Sequence, residues 1–271
     1  MFSLELECRA KHKDLLIAEL WEQGCCGVVE LDANHIRAFF DDQAGADRLR
    51  KQFRAFGARL RVEEDRDWVE FSREKWEPLP VGSRFYLVPE WRDDPAPEGR
   101  FRITVNPGLA FGTGIHETTR LCLEALEEHV QPDMAVVDVG TGSGILALAA
   151  GHLRAAAIYA CDVDPVAVEV AARNTEVSPV PVRFFVGSVG AMAAGSADLV
   201  VANISPEVTM ELAADLLRIL RPGSLALVSG FERNEIADIQ AAMTKAGAEI
   251  EGTRFKGSWA LVATRKSFRR G

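Results

Sequence analysis

Four stretches of this 271-residue chain combine residue types and spacings that can hold a ligand or act on one. In Val136 to Ala150 (VVDVGTGSGILALAA), the apolar run at Val136, Val137 and Val139 reads as a buried parallel strand, and a tightly packed helix opens at Ile145. Between them, Gly140, Gly142 and Gly144 let the backbone turn sharply and let a ligand approach where a Cβ would block it. The helix N-terminus behind the turn offers free N–H groups. The next strand is expected to end in Ala160-Cys161-Asp162, where the Asp162 carboxylate can accept both hydroxyl protons of a ribose. A third stretch, Asn106 to Thr119 (NPGLAFGTGIHETT), is a glycine-rich loop that runs into a helix beginning near Glu117. Thr118 and Thr119 can seat a carboxylate there with Phe111 covering the ligand, or the stretch is a Thr-capped helix after a flexible loop. The fourth, Val201 to Pro206, places Asn203 beyond the carboxyl end of the fourth candidate strand, where ligands of open α/β sheets collect. Its side-chain oxygen and nearby carbonyls can accept hydrogen bonds from an amine and aim the nitrogen lone pair at a methyl group. The alternative is that Asn203 caps a helix starting at Pro206.

The glycine spacing separates two kinds of cofactor. A dinucleotide fold expects G-x-G-x-x-G, with the third glycine leaving room for helix packing below a pyrophosphate. Here the third glycine falls one position early and Ile145 stands in its place, which disfavours a nicotinamide oxidoreductase. Asp138 would repel a pyrophosphate but tolerates a positively charged ligand, and S-adenosylmethionine is such a ligand. His116 and Glu117 lie in the threonine loop, with a structural role for His116 favoured over that of a base.

Elements in regular alternation must position these residues. Candidate strands at 136–139, 157–161, 182–186, 198–202 and 225–229 are separated by helices, with an Arg221-Pro222-Gly223 turn before the fifth. A pair at 248–255 and 258–264, hinged at Lys256-Gly257, reads as an antiparallel hairpin added to a parallel sheet. Upstream, Phe2 to Arg9 alternates like a strand, Lys11 to Gln23 is helical in spacing, and Gly27 to Leu31 and His35 to Phe40 are short strands. A second helix carries Leu49, Phe53 and Phe56 on one side, and Leu60 to Glu64 closes a β-α-β-β-α-β, ferredoxin-like pattern. The expected organisation is a small α+β recognition domain over residues 1–65, a connector over 66–100, and an α/β, Rossmann-like domain over 101–271. In the connector, Trp68, Phe71 and Trp76 recur near helical spacing before Pro78 and Pro80, and Phe85, Tyr86 and Trp91 follow in an extended segment. These aromatics anchor a linker more simply than they stack on bases, since no basic groove accompanies them.

Composition bounds the partners. The net charge of −9 offers no attraction to bare nucleic acid and suits a basic protein. No apolar run reaches transmembrane length, and the charges from Glu5 onward are unlike a secretory signal, so the cytoplasm is the expected compartment. Five cysteines without a C-x-x-C pair and scattered histidines suggest neither a disulfide framework nor a metal site.

NPGLAFGTGIHETTRLCLEAL, VVDVGTGSGIL, CDVDPVAVEVAARN, DLVVANI and the connector's WVEFSREKWEPLPVGSRFYLVPEW together resemble the ribosomal protein L-eleven methyltransferase family (PrmA) over nearly the full length. The resemblance implies a seven-stranded class I methyltransferase domain preceded by a ferredoxin-like domain that recognises the substrate. It implies transfer of methyl groups from S-adenosyl-L-methionine to lysine side-chain and N-terminal amines of the large-subunit stalk-base protein. It carries cofactor binding onto Thr119, Gly140, Asp162 and Asn203, the residues nominated above beside Gly142 and Phe111, and leaves Asn203 as the group that orients the amine without a dedicated base. A monomer is expected. The chain departs from the family at Asn106, Ile115, Thr141 and Ser205-Pro206-Glu207. Ser188 stands near a position where many members of the wider superfamily place a carboxylate beside the adenine. Two other readings are a methyltransferase of another protein or small molecule, and a non-catalytic ribosome-associated binding protein.

Overall fold

The structure, a computed structural model, describes residues 2–8, 16–17, 20, 23–25, 27–32, 34–40, 45–62, 77–105 and 116–268. It divides into two compact units, Met1–Trp76 and Glu77–Gly271. The expected helix over 11–23, the aromatic run Trp68, Phe71 and Trp76, and residues 106–115 with Phe111 lie wholly or largely outside the described residues.

In the first unit, β1 (Phe2–Glu7), β2 (Gly27–Asp32), β3 (His35–Phe40) and β4 (Arg59–Val62) form an antiparallel sheet in the order β2-β3-β1-β4, that of a ferredoxin-like fold. Period-two alternation puts Phe2, Leu4 and Leu6 on one buried face, with Phe2 stacked on Phe40 at 5.1 Å between ring centroids. Each such fully buried apolar side chain contributes about 1.5–3 kcal/mol. The opposite face carries Glu5, paired with Arg37 at 3.3 Å and Arg61 at 2.9 Å across the strands. Helix α1 (Ala46–Gln52) is shorter than the spacing of Leu49, Phe53 and Phe56 suggests. The chain tightens into a single 3₁₀ turn at Arg54–Phe56 and stops at Gly57, whose φ of 64° ends the helical course.

In the second unit, β5 (Leu79–Val81), β6 (Phe85–Pro89) and β7 (Phe101–Val105) form a small sheet in that order. Residues 77–100 of the expected connector therefore belong to this unit: Phe85, Leu87 and Ile103 are buried in one core with α2 (Glu117–His129). Glu127 of α2 also ties the β5–β6 turn, accepting from the backbone N–H groups of Ser83 at 3.0 Å and Arg84 at 3.1 Å.

The large sheet follows as β8 (Ala135–Val139), α3 (Ile145–His152), β9 (Ala157–Asp162), α4 (Pro165–Asn174), β10 (Val182–Val186), β11 (Ala197–Asn203), α5 (Pro206–Ile219), β12 (Leu220–Glu232), α6 (Ile236–Lys245), β13 (Ala248–Lys256) and β14 (Trp259–Lys266). Its order is β10-β9-β8-β11-β12-β14-β13, parallel from β10 to β12 and antiparallel on both sides of β14. This is the Rossmann-like methyltransferase sheet. Both faces are covered, so its strands read as continuous apolar runs. Val136, Leu199, Val201 and Leu227 enter one core, and Val137, Val139, Val200 and Val228 enter the other. The expected Arg221-Pro222-Gly223 turn is an irregular start to β12, where the pairing with β11 jumps from Leu220 to Leu225.

Candidate active site

At the carboxyl edge of β8, β9 and β11 lies a cavity of about 860 Å³ lined by Thr119, Gly140, Gly142, Asp162 and Asn203. Five of the residues nominated from sequence thus meet at one place; Phe111 lies outside the described residues.

The glycine turn and the carboxylate beside it are held as one piece. Gly140 N and Thr141 N donate to Cys161 O at 2.9 and 3.0 Å, and Gly142 N donates to Asp162 Oδ2 at 3.0 Å. Asp164 N donates to the other oxygen, Oδ1, at 3.1 Å. Gly140 has a φ of 70°, and a Cβ there would stand 2.3 Å from Ile204 Cγ2, so any larger residue would be strained and would push into the β11 loop. Beneath the turn, Asp138 is fully buried and accepts from Thr141 Oγ1 at 2.7 Å and Ala147 N at 3.1 Å, both through Oδ2. Burial pushes its pKa up to about 6 against the pull of those two hydrogen bonds. Its Oδ1 has no hydrogen-bond partner among the described residues.

Both bland alternatives for the polar residues are replaced by other caps. The cap of α2 is His116, whose Nδ1 accepts from Thr118 N at 3.4 Å and lies 2.8 Å from Thr118 Oγ1. The cap of α5 is Ser205, which accepts from Val208 N at 3.4 Å, with Pro206 at the first helical position. Thr119 and Asn203 are thereby released to face each other: Asn203 Nδ2 donates to Thr119 Oγ1 at 3.3 Å. Asn203 Oδ1 accepts no hydrogen bond among the described residues.

Several lining residues went unnominated. Trp259, at the start of β14, meets the His116 ring edge-on with centroids 4.5 Å apart, and both line the cavity. Gly230 has a φ of 104°, and a Cβ there would lie 2.1 Å from Ile204 O, so β12 presses directly on the backbone that follows Asn203. Cys161 also lines the cavity, and burial raises its thiol to about 12, which keeps it a neutral thiol.

The model of the family described as ribosomal protein L11 methyltransferase (PrmA) matches residues 29–267. The chain belongs to the PrmA family. Among PrmA relatives, the ribosomal protein L11 methyltransferase of Symbiobacterium thermophilum is 41% identical over 209 residues, 77% of this chain and 69% of that one. That of Desulfitobacterium hafniense is 42% identical over 209 residues, 76% of this chain and 66% of that one. A crystal structure of a ribosomal protein L11 methylase from Lactobacillus delbrueckii subsp. bulgaricus aligns with a TM-score of 0.65 at 31% identity, covering 70% of this chain and all (100%) of that one.

Membership of the PrmA family makes the chain a methyltransferase with S-adenosyl-L-methionine as cofactor. The residues present fit that group. The cavity has the size of a small-molecule site, a buried carboxylate with an unpaired oxygen lies beneath it, and a narrow glycine cradle lines it.

Proposed function

We propose that this chain transfers methyl groups from S-adenosyl-L-methionine to lysine side-chain and N-terminal amines of a basic ribosomal protein at the large-subunit stalk base. The observation that carries the reading is the hydrogen-bonded pair Asn203 and Thr119 at the end of β11, beside the glycine turn and Asp162 in one cavity. In this arrangement Asp162 takes the ribose hydroxyls, the Gly140–Gly142 turn packs against the cofactor, and the N-terminus of α2 at Thr119 seats its carboxylate. Asn203 Oδ1 accepts from the incoming amine and turns its lone pair toward the methyl carbon.

The cofactor supplies an electrophilic methyl group on a sulfonium. Transfer forms the N–C bond and breaks the C–S bond, and the proton of the amine leaves to solvent. A free lysine amine titrates near ~10.4 and is almost wholly protonated at neutral pH. Desolvation beside the apolar walls and the neighbouring positive charge favour the neutral amine. Orientation by Asn203 contributes the rest.

In this reading the small domain expected over residues 1–65, within the first unit, recognises the substrate, and the net charge of −9 favours its basic character. The protein works as a monomer in the cytoplasm. Among the described residues no helix is long and apolar enough to cross a membrane.

Incubation with the stalk-base protein of the same organism and S-adenosyl-L-methionine, followed by intact-mass measurement, tests the reading. Mass gains in steps of one methyl are expected. Cofactor binding without any gain would move the assignment to another protein or small molecule, and absence of cofactor binding would indicate a non-catalytic ribosome-associated protein.

A further inference from the structure

Helix α5 begins two residues beyond Ile204, close behind Asn203, with Ser205 as its cap and Pro206 at its first position. The 3.6-residue period sorts its first two turns into rows. Thr209, Ala213 and Leu216 are buried against the sheet. Val208 and Leu212 line the cavity. Glu207 and Glu211 form the row next to these, turned outward, and Met210 lies beyond them. Val208 is 40% exposed and Met210 38%, and both glutamates are exposed. Two exposed aliphatic side chains by themselves mean little. Here they flank a row of carboxylates on the lip of the cavity, at the end where the acceptor amine is placed.

Those carboxylates lack what their neighbour has. Glu207 and Glu211 stand one turn apart, a spacing at which like charges repel. Among the described residues neither takes part in an ion pair or a side-chain hydrogen bond. Asp215, one turn further along the same helix, is paired with Arg218 at 2.8 Å. The positive end of the helix favours Glu207 in the first turn but does not extend to Glu211. A cation brought by another molecule would relieve the repulsion of both. An extended chain advances about 3.3 Å per residue, so when an amine enters the cavity toward Asn203 the residues within about three positions of it pass over this lip.

This inference rests on the proposed function, in which Asn203 orients the amine of a basic protein. We propose that the exposed face of α5, Glu207, Glu211 and Met210 beside Val208, docks a lysine- or arginine-bearing segment of the substrate protein, so that acceptor amines with basic neighbours are preferred. The lip acts on capture of the substrate and leaves the transfer step alone.

Steady-state methylation of the stalk-base protein of the same organism by the full chain tests the proposal. In Glu207→Gln/Glu211→Gln the KM for that protein is expected to rise about threefold to tenfold, while kcat and the dissociation constant of S-adenosylhomocysteine stay within about twofold of wild type. In this variant kcat/KM should also fall less steeply with added salt, because exposed charge pairs are screened. Asp133→Asn/Glu176→Gln removes the same charge from exposed positions at the opposite, amino edge of the sheet and should leave KM within about twofold. Replacing by glutamine the lysines and arginines within about three positions of a methylated amine should weaken kcat/KM for the wild type by about threefold to tenfold and leave the α5 variant nearly indifferent. A wild-type KM in the α5 variant, an equal rise in the amino-edge variant, or methylated amines without basic neighbours overturns this inference and leaves the proposed function standing. A loss in kcat or cofactor affinity as large as the rise in KM overturns it as well, since the glutamates would then support the fold of the site. If the wild type methylates no amine of the stalk-base protein, the proposed substrate fails and this inference fails with it.

Discussion

Removing the carboxylate in Asp162→Ala tests the ribose assignment most directly. Each oxygen of Asp162 already accepts one backbone N–H, from Gly142 at 3.0 Å and Asp164 at 3.1 Å. A carboxylate has about four acceptor positions, so one remains on each oxygen, as two adjacent hydroxyls require. Hydrogen bonds to a charged group contribute about 1.5–3 kcal/mol each. Losing both should weaken S-adenosylhomocysteine binding by about 3–6 kcal/mol, roughly two to four orders of magnitude. The same substitution frees one backbone anchor of the glycine turn, at Gly142, and one of the β9–α4 loop, at Asp164, so a loss of affinity alone would not separate contact from support. Titration with the 2′-deoxy and 3′-deoxy analogues does. The wild type should lose roughly tenfold to a hundredfold on removal of either hydroxyl, whereas Asp162→Ala should be nearly indifferent to both. A variant that still distinguishes ribose from deoxyribose would refute the assignment, as would a wild type that does not.

Asn203→Ala should slow methyl transfer by about 10- to 100-fold in single-turnover assays at saturating cofactor, because in the proposed arrangement the side chain orients the amine; a transfer rate unchanged from wild type would count against that role. Gly230→Ala should destabilise the second unit by about 2–4 kcal/mol, since its φ of 104° and a Cβ 2.1 Å from Ile204 O combine strain with overpacking, and a thermal melt unchanged from wild type would count against that packing. Asp138 has a folded pKa raised to about 6 from an ordinary 3.8, so its protonated form favours the folded state; this contribution is fully present below about pH 3.8 and is lost as pH rises through about 6. Urea unfolding of the unliganded protein should therefore show Asp138→Asn gaining on the wild type by up to about 3 kcal/mol between those limits, and a difference that stays flat with pH would contradict the burial argument.

Much of this protein was legible from local pattern because the pattern and the fold share a period. The buried parallel strands announce themselves as unbroken apolar runs, and each expected strand from 136–139 to 258–264 lies within two residues of an observed one except at 225–229, where β12 extends to Leu220–Glu232. Gly140, Gly142 and Asp162 are equally local: the turn and the carboxylate sit at the ends of adjacent strands, so reading the strands brings them together at the edge where the cavity lies. A similar argument fails at Phe56, since Gly57 ends the helical course through backbone conformation and not through apolar spacing.

The tertiary structure decided what lies between elements remote in sequence. Whether Thr119 and Asn203 were caps or free to line the cavity depended on which neighbour satisfied each helix end, and local motifs permit several answers; here His116 and Ser205 do so. Trp259 reaches the cavity because β14 runs antiparallel beside β12, which puts the first residue of that strand at the carboxyl edge. Gly230 touches Ile204 through a register between strands, and Asp138 Oδ1 is left without a hydrogen-bond partner among the described residues. Spacing along the chain encodes the faces of single elements, whereas close approach and unsatisfied polar atoms exist only once those elements are packed together.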